Sequence, residues 1–266
     1  MKKLVLFEIV AALLMPLVAI AQSDFDGTWK IDVDKAVWPT KAEIFLLQNG
    51  MYQCKTCIPV ISVNADGEDH SVAGSPYYDT VSIRIVNDHS IEKTKKKGGK
   101  TVATSTMTVS PDNNTATVEF TDSTDTNSDP VTGKETMGRV AKSKRPPVGS
   151  HAISGSWQIL KMESVSDNAL MFTFKVEGDS LTMSNPTGQS CTAKMDGTDA
   201  PYKGDPGIES ISLVRLGKSA IVETYKHDAK PVRSRRIMVT PGDARTMNII
   251  VDDSARGTTV FVATKQ

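Results

Sequence analysis

Aromatic residues make up only 6% of the 266-residue chain, histidine occurs four times, cysteine three times, and Lys+Arg and Asp+Glu balance at 31 each. The balanced charge leaves no basic excess to hold a polyanion, which argues against a nucleic-acid binder. At 39% hydrophobic and 23% charged, the chain has the composition of neither a disordered nor a polytopic membrane protein. Motifs of common catalytic sites are also missing: there is no G-x-S-x-G, no H-E-x-x-H and no phosphate loop. His70, His89, His151 and His227 are scattered, and acidic residues such as Glu92 and Glu223 point to no shared site. No catalytic residue and no cofactor is expected. No segment shows an apolar stripe of helical period over three turns. What is plentiful is Thr, Ser, Val, Gly and Pro, which tilts the chain toward strands and turns.

Residues 1–21 read as a signal peptide. Lys2 and Lys3 precede an apolar stretch from Leu4 to Ile20, which ends in Ala19-Ile20-Ala21, a small-residue cleavage pattern expected to be cut before Gln22. Glu8 and Pro16 interrupt the run, which argues against a transmembrane anchor. The expected product is exported, either periplasmic or secreted, with no anchor after cleavage.

The remaining chain is written twice. Sliding it on itself by 130 residues places Asp66–Asp122 on Asp196–Asp252, with 14 of 57 positions identical. Upstream, Gly27-Thr28-Trp29-Lys30-Ile31 matches Gly155-Ser156-Trp157-Gln158-Ile159 at a spacing of 128. Such self-similarity marks a tandem duplication. The expected boundaries are a first repeat over 22–142, a polar linker over 143–152 containing Pro146-Pro147, and a second repeat over 153–266.

Each repeat reads as an antiparallel meander. In Asp79–Val86, Val81, Ile83 and Ile85 alternate with Ser82 and Arg84, as a half-buried strand requires. Hairpin turn residues recur at Asn49-Gly50, Asn87-Asp88, Gly98-Gly99 and Pro111-Asp112-Asn113. They recur again at Gly178-Asp179, Gly217-Lys218, Asp228-Ala229 and Pro241-Gly242-Asp243. Eight or nine strands per repeat are enough to curl and close, so the expected fold is all-β, with two tandem antiparallel meander β-barrels.

A G-x-W on the first strand of a small antiparallel barrel resembles the first sequence signature of the lipocalins and the wider calycin superfamily. Gly27 and Trp29 match it in one repeat, and Gly155 and Trp157 in the other. The resemblance implies a Trp packed across the closed end of each barrel, covered by an Arg from the last strand. Arg139 is the candidate in the first repeat, whereas the second offers only Val262 or Ala263 near the equivalent point. The family's T-D-Y loop and C-terminal helix have no counterpart. The resemblance further implies a cavity for a small apolar or amphipathic molecule.

Cys54-Lys55-Thr56-Cys57 lacks the helical context of a redox pair, the further ligands of a zinc site and the histidine of a c-type haem motif. A local disulfide is the expectation, with Cys191 free and buried or paired between chains. The stretch Asp125-x-Asn127-x-Asp129, with Glu135 behind it, approaches a calcium-loop spacing. Pro130 stands where the turn glycine belongs, so a solvated loop is expected and no metal. Basic residues crowd two equivalent hairpins, Lys93–Lys100 and Lys226–Arg236. They serve either to protect exposed edges or to meet an anionic surface or an acidic ligand head group.

The function expected from these features is that of a non-enzymatic binding protein for a small hydrophobic or amphipathic molecule. Tyr52, Tyr77, Tyr78, Tyr225 and Arg215 are the candidate polar handles. The alternative is a structural or interaction module whose barrels are filled by their own side chains and whose basic hairpins contact an anionic surface or a protein.

Overall fold

The structure is a computed structural model that describes residues 23–124, 129–140, 146–254 and 256–266. The expected signal peptide, the centre of the Asp-rich stretch and the first part of the linker lie outside these residues. The first repeat forms β1 (Gly27–Val37), β2 (Glu43–Gln48), β3 (Met51–Cys54), β4 (Ile61–Asn64) and β5 (His70–Ser71). It continues through β6 (Thr80–Asn87), β7 (Ser90–Lys97), β8 (Lys100–Val109), β9 (Thr115–Asp122) and β10 (Val131–Arg139). The second forms β11 (Gly155–Val165), β12 (Met171–Glu177), β13 (Ser180–Ser184), β14 (Ser190–Lys194) and β15 (Asp196–Lys203). After these come β16 (Ser210–Arg215), β17 (Ala220–His227), β18 (Lys230–Val239), β19 (Thr246–Asp253) and β20 (Gly257–Lys265). Ten strands per repeat, not eight or nine, build the two barrels, because pieces as short as β5 carry too little alternation to be read as strands. Every expected turn joins two strands. Asn49 and Gly50 take φ of 52° and 74°, and Asp228 and Ala229 take 49° and 59°, the left-handed values of tight hairpins.

The barrels do not coincide with the repeats. One is closed in the order β1-β12-β13-β14-β15-β16-β17-β18-β19-β20, and the other is a ten-stranded sheet in the order β4-β3-β2-β11-β10-β9-β8-β7-β6-β5. The leading strand of each repeat therefore completes the barrel of the other. Trp29 pairs with Phe172 on β12 and Lys265 on β20, while Trp157 pairs with Glu43 on β2 and Arg139 on β10. The boundaries at 142 and 153 divide the sequence repeats but not the folded units. The reason is that β1 and β11 present near-identical edges, G-T-W-K-I and G-S-W-Q-I, so each fits the slot of the other.

The ten-stranded sheet of the first repeat is nearly closed. At its seam Asp66 bridges Arg84, and the Gly67 amide donates to the Ile83 carbonyl at 2.9 Å. The described end of the linker is docked onto this barrel. The His151 amide donates to the Leu47 carbonyl at 2.8 Å, and Ile153 is fully buried.

Two hydrophobic cores follow the exchange. Trp29 packs with Phe172, Phe174, Leu181, Ile211 and Ile237 of the second repeat, and Trp157 packs with Leu47, Tyr52, Ile83 and Met137 of the first. Equivalent anchors fix both exchanged strands. Asp26 accepts the Val176 amide at 2.6 Å, and Ser154 accepts the Leu47 amide at 2.8 Å.

The ungapped repeat alignment holds only as far as the β8–β9 turn. Ser110 closes that turn on Thr115, whereas Thr240 closes its counterpart on Thr246, with the additional residue accommodated at Ala244 with φ of 47°. Asp122 consequently corresponds to Asp253 and not to Asp252: Asp122 faces Ala103, and Asp253 faces Arg233. The two repeats also touch at equivalent positions. Tyr77 lies against Gly207, where a side-chain Cβ would stand 2.1 Å from the tyrosine oxygen, and its hydroxyl donates to Asp205 at 2.9 Å. Glycine at 207 makes room for the tyrosine of the other copy.

Candidate binding sites inside the two barrels

Each G-x-W lies on a leading strand and packs its tryptophan into the barrel built mainly from the other repeat. Gly27 and Gly155 have φ of 121° and 140°, a region side chains disfavour, and a Cβ on Gly27 would press on Lys265 at 3.4 Å. Trp29 and Trp157 are fully buried and donate their indole N–H to the Phe25 and Ile153 carbonyls, each at 2.8 Å. Arg139 covers a Trp, as expected, but it is Trp157 and not Trp29, at 4.1 Å from the ring. Its guanidinium also donates to the carbonyls of Asn113, Ser154 and Ala152. The second repeat does supply a cation, Lys265, whose Nζ lies 5.0 Å over Trp29. It escaped notice because a lysine, shifted along the strand, replaces the arginine sought at Val262 or Ala263.

In the closed barrel, strand alternation turns Ile221, Glu223 and Tyr225 of β17 inward, opposite Ile237, Arg235 and Arg233 of β18. Glu223 is completely buried, and its Oε2 accepts from Arg235 Nε and, at 2.7 Å, from the Tyr225 hydroxyl. Burial alone pushes the Arg235 guanidinium toward losing its proton. The Glu223 carboxylate more than offsets this and holds the group firmly protonated. Burial likewise drives the Tyr225 and Tyr202 hydroxyls up, and these rings meet edge to face at 5.3 Å. Glu223 Oε1 and Arg235 Nη2 are buried and have no hydrogen-bond partner. An unanswered acceptor and an unanswered donor in an apolar interior are each costly. Cys191 is a free, buried thiol in the same core, pushed up to about 11 by burial and then by Glu223, so it is a poor nucleophile.

In the first-repeat barrel, Lys93 and Lys95 share the inward face of β7 with buried Ile91, opposite Ile83 and Val81. Burial lowers both lysines, Lys95 to about 8, and Lys95 Nζ sits 4.5 Å above the Tyr78 ring. Glu135 of β10 is pushed up to about 7, chiefly by burial and then by Glu43. The unfolded chain releases this proton near pH 4.5 and the fold holds it until about 7, so stability is full below 4.5 and lost as pH rises toward 7. Glu135→Gln is expected to abolish that slope and to stabilise the protein at pH 8 by on the order of 2 kcal/mol, read from denaturant melts.

The expected handles separate accordingly. Tyr78 and Tyr225 face the two interior polar groups, and Tyr52 is buried and stacked on Phe45 at 6.3 Å. Tyr77 is used between the repeats. Arg215 does not face an interior: it stands at the last residue of β16, is exposed, and bonds the Gly217 and Lys218 carbonyls of its own turn. Glu223, Arg235 and Glu135 were missed as site residues; inward parity with Ile221, Ile237 and Met137 was the available signal.

The basic hairpins also divide. Lys97, Lys100, Lys230 and Arg236 are exposed, while Lys96 pairs with Asp69 at 2.7 Å and Lys226 with Asp199 at 2.6 Å. Lys93, Lys95 and Arg235 face inward and are not part of a surface patch. Cys54 and Cys57 form the expected disulfide, with Cα atoms 5.4 Å apart. Residues 125–128 of the Asp-rich stretch lie outside the described residues. Glu209, His227 and Asp228 gather at the β17–β18 hairpin with their ligating atoms within 4.8 Å, on exposed or half-buried side chains.

Two open depressions, of about 660 and 610 Å³, lie across β8–β11 and between the Asp112–Asn114 turn and Pro146–Ser150. Neither is lined by the interior polar groups. No protein-family model matches the chain, and no curated protein matches it.

Proposed function

We propose that the protein is an exported, non-enzymatic carrier whose calycin-like barrels bind a small apolar or amphipathic molecule. The observation that carries this reading is the pair of unpartnered polar atoms, Glu223 Oε1 and Arg235 Nη2, inside the closed barrel. Natural interiors answer nearly all such groups, and a ligand with a hydroxyl or amide head answers both at once. Its apolar part gains about 25 cal/mol per Å² buried, before ordering costs. The leader-like residues 1–21 and the Cys54–Cys57 disulfide support export into an oxidising compartment.

A second reading is an interaction module with filled barrels. It is favoured by the bulk of Trp29, Phe174, Leu181 and Ile211 in the closed barrel and by the position of the open depressions away from the interior groups. Native and denatured mass spectra of the mature protein, purified from the export compartment, separate the two. The carrier releases a small molecule of defined mass on denaturation. A bare polypeptide mass under several growth conditions, with no uptake of apolar probes, contradicts the carrier and supports the module.

A further inference from the structure

We propose that the hairpin between β17 and β18 carries a site for a zinc-type divalent cation, ligated by Glu209, His227 and Asp228. The site is independent of the carrier reading, and its failure would leave that reading untouched.

Glu209 immediately precedes β16, His227 ends β17, and Asp228 opens the turn to β18. One oxygen of each carboxylate and one imidazole nitrogen lie within 4.8 Å of one another. His227 Nδ1 is 3.7 Å from Glu209 Oε1, and Nε2 is 3.9 Å from Asp228 Oδ2. Ligands of a tetrahedral zinc stand about 2.1 Å from the ion and so about 3.4 Å from one another. Small rotations at the two exposed carboxylates close that difference.

Two features set the cluster apart from ordinary surface charge. Although the His227 ring is half-buried, its Nδ1 is closed off from solvent and has no hydrogen-bond partner. A ring nitrogen that neither water nor protein answers is costly, and a metal ion answers it. In addition, among the described residues neither carboxylate pairs with a lysine or arginine: the contact of each is His227. The adjacent Lys226 is taken by Asp199, and Lys230, across the ladder from His227, is exposed.

The first repeat shows what the hairpin needs without a metal. Asp79, Lys97 and Gly98 stand 130 residues before Glu209, His227 and Asp228. In both copies the acid accepts the first amide of the turn: Asp79 from Gly98 at 2.8 Å, and Glu209 from Asp228 at 3.2 Å. That bond accounts for the acid. It accounts for neither the imidazole nor the second carboxylate, and Asp228 takes φ of 49° where the first repeat has glycine at 56°. The amide holds Glu209 by Oε2 and leaves Oε1 turned to the ring, an orienting contact of the kind metal ligands use. One imidazole with two carboxylates suits zinc or a neighbouring first-row ion, whereas magnesium and calcium take oxygen ligands.

The test titrates the full mature protein, without a histidine tag, at pH 7 with zinc chloride and with magnesium chloride. Calorimetry reads the affinity, and NMR of the histidine rings locates it. Zinc is expected to bind at least tenfold tighter than magnesium and to shift the His227 ring signals before those of His70, His89 and His151. His227→Lys/Asp228→Gly, which copies the hairpin of the first repeat, is expected to weaken zinc at least tenfold. Zinc affinity that this variant retains overturns the site, as does equal affinity for the two ions or no detectable binding of zinc. Should the variant fail to fold, the unmutated protein still decides: zinc that shifts the other rings and leaves His227 unmoved overturns the proposal.

Discussion

Trp29→Ala is expected to destabilise the barrel built from the second repeat, although Trp29 belongs to the first. Its ring is fully buried among Phe172, Phe174, Leu181 and Ile211, all from the second repeat, and Lys265 of the last strand lies over it. Truncating a buried Trp costs about 3–5 kcal/mol, through lost burial and the cavity left behind. The Phe25 carbonyl also loses its indole donor. Hydrogen exchange locates the effect: amides of β12 and β20 lose protection first, while β2 and β10 keep theirs. Trp157→Ala is expected to give the mirror pattern, with β2 and β10 opening first. Loss of protection confined to the repeat that carries each Trp contradicts the exchange.

Arg235→Met is expected to cost about 3–5 kcal/mol at pH 7, more than any surface charge change, because it strands Glu223 in the closed barrel. Glu223 is inaccessible to water and accepts from both Arg235 and Tyr225, so removing the cation leaves an uncompensated buried charge. Removing both charges, as Glu223→Leu/Arg235→Met, is expected to restore most of the loss, since a buried ion pair replaced by apolar side chains of similar size is often neutral. Urea melts at pH 5 and pH 8 on the single and double variants measure this. A single variant as stable as the parent at both values would mean that the pair is solvated and that the interior is open to water.

Much of the fold was legible because turns and alternation are local. Asn49-Gly50 and Gly98-Gly99 announce hairpins through backbone angles that few other residues tolerate. The duplication was legible because both copies retain G-x-W and the Asp66–Pro76 signature. The exchange of β1 and β11 was not, because two strands with equivalent edges fit either slot, and local pattern is silent on which partner a strand selects. The interior charges were hidden for a related reason. Lys93 and Lys95 sit in a run of lysines where alternation is blurred, and only pairing with Ile83 and Val81 reveals which members point inward. Arg235 was read with its exposed neighbours on the hairpin, when its parity with Ile237 places it in the core. Arg215 shares the parity of Leu213, but at the last residue of β16 its side chain turns back to the Gly217 and Lys218 carbonyls.

The exchange of leading strands is tested most directly by cysteine cross-linking. In the ladders, Lys30 lies beside Thr264, and Gln158 beside Gly138. Closure of each repeat on itself would instead place Lys30 beside Gly138 and Gln158 beside Thr264. With Cys191 replaced by serine, Lys30→Cys/Thr264→Cys is expected to form an intramolecular disulfide in the monomer, and Lys30→Cys/Gly138→Cys to remain reduced. A cross-link in the second pair and none in the first would show that each barrel is closed by its own repeat, and it would overturn the architecture described above.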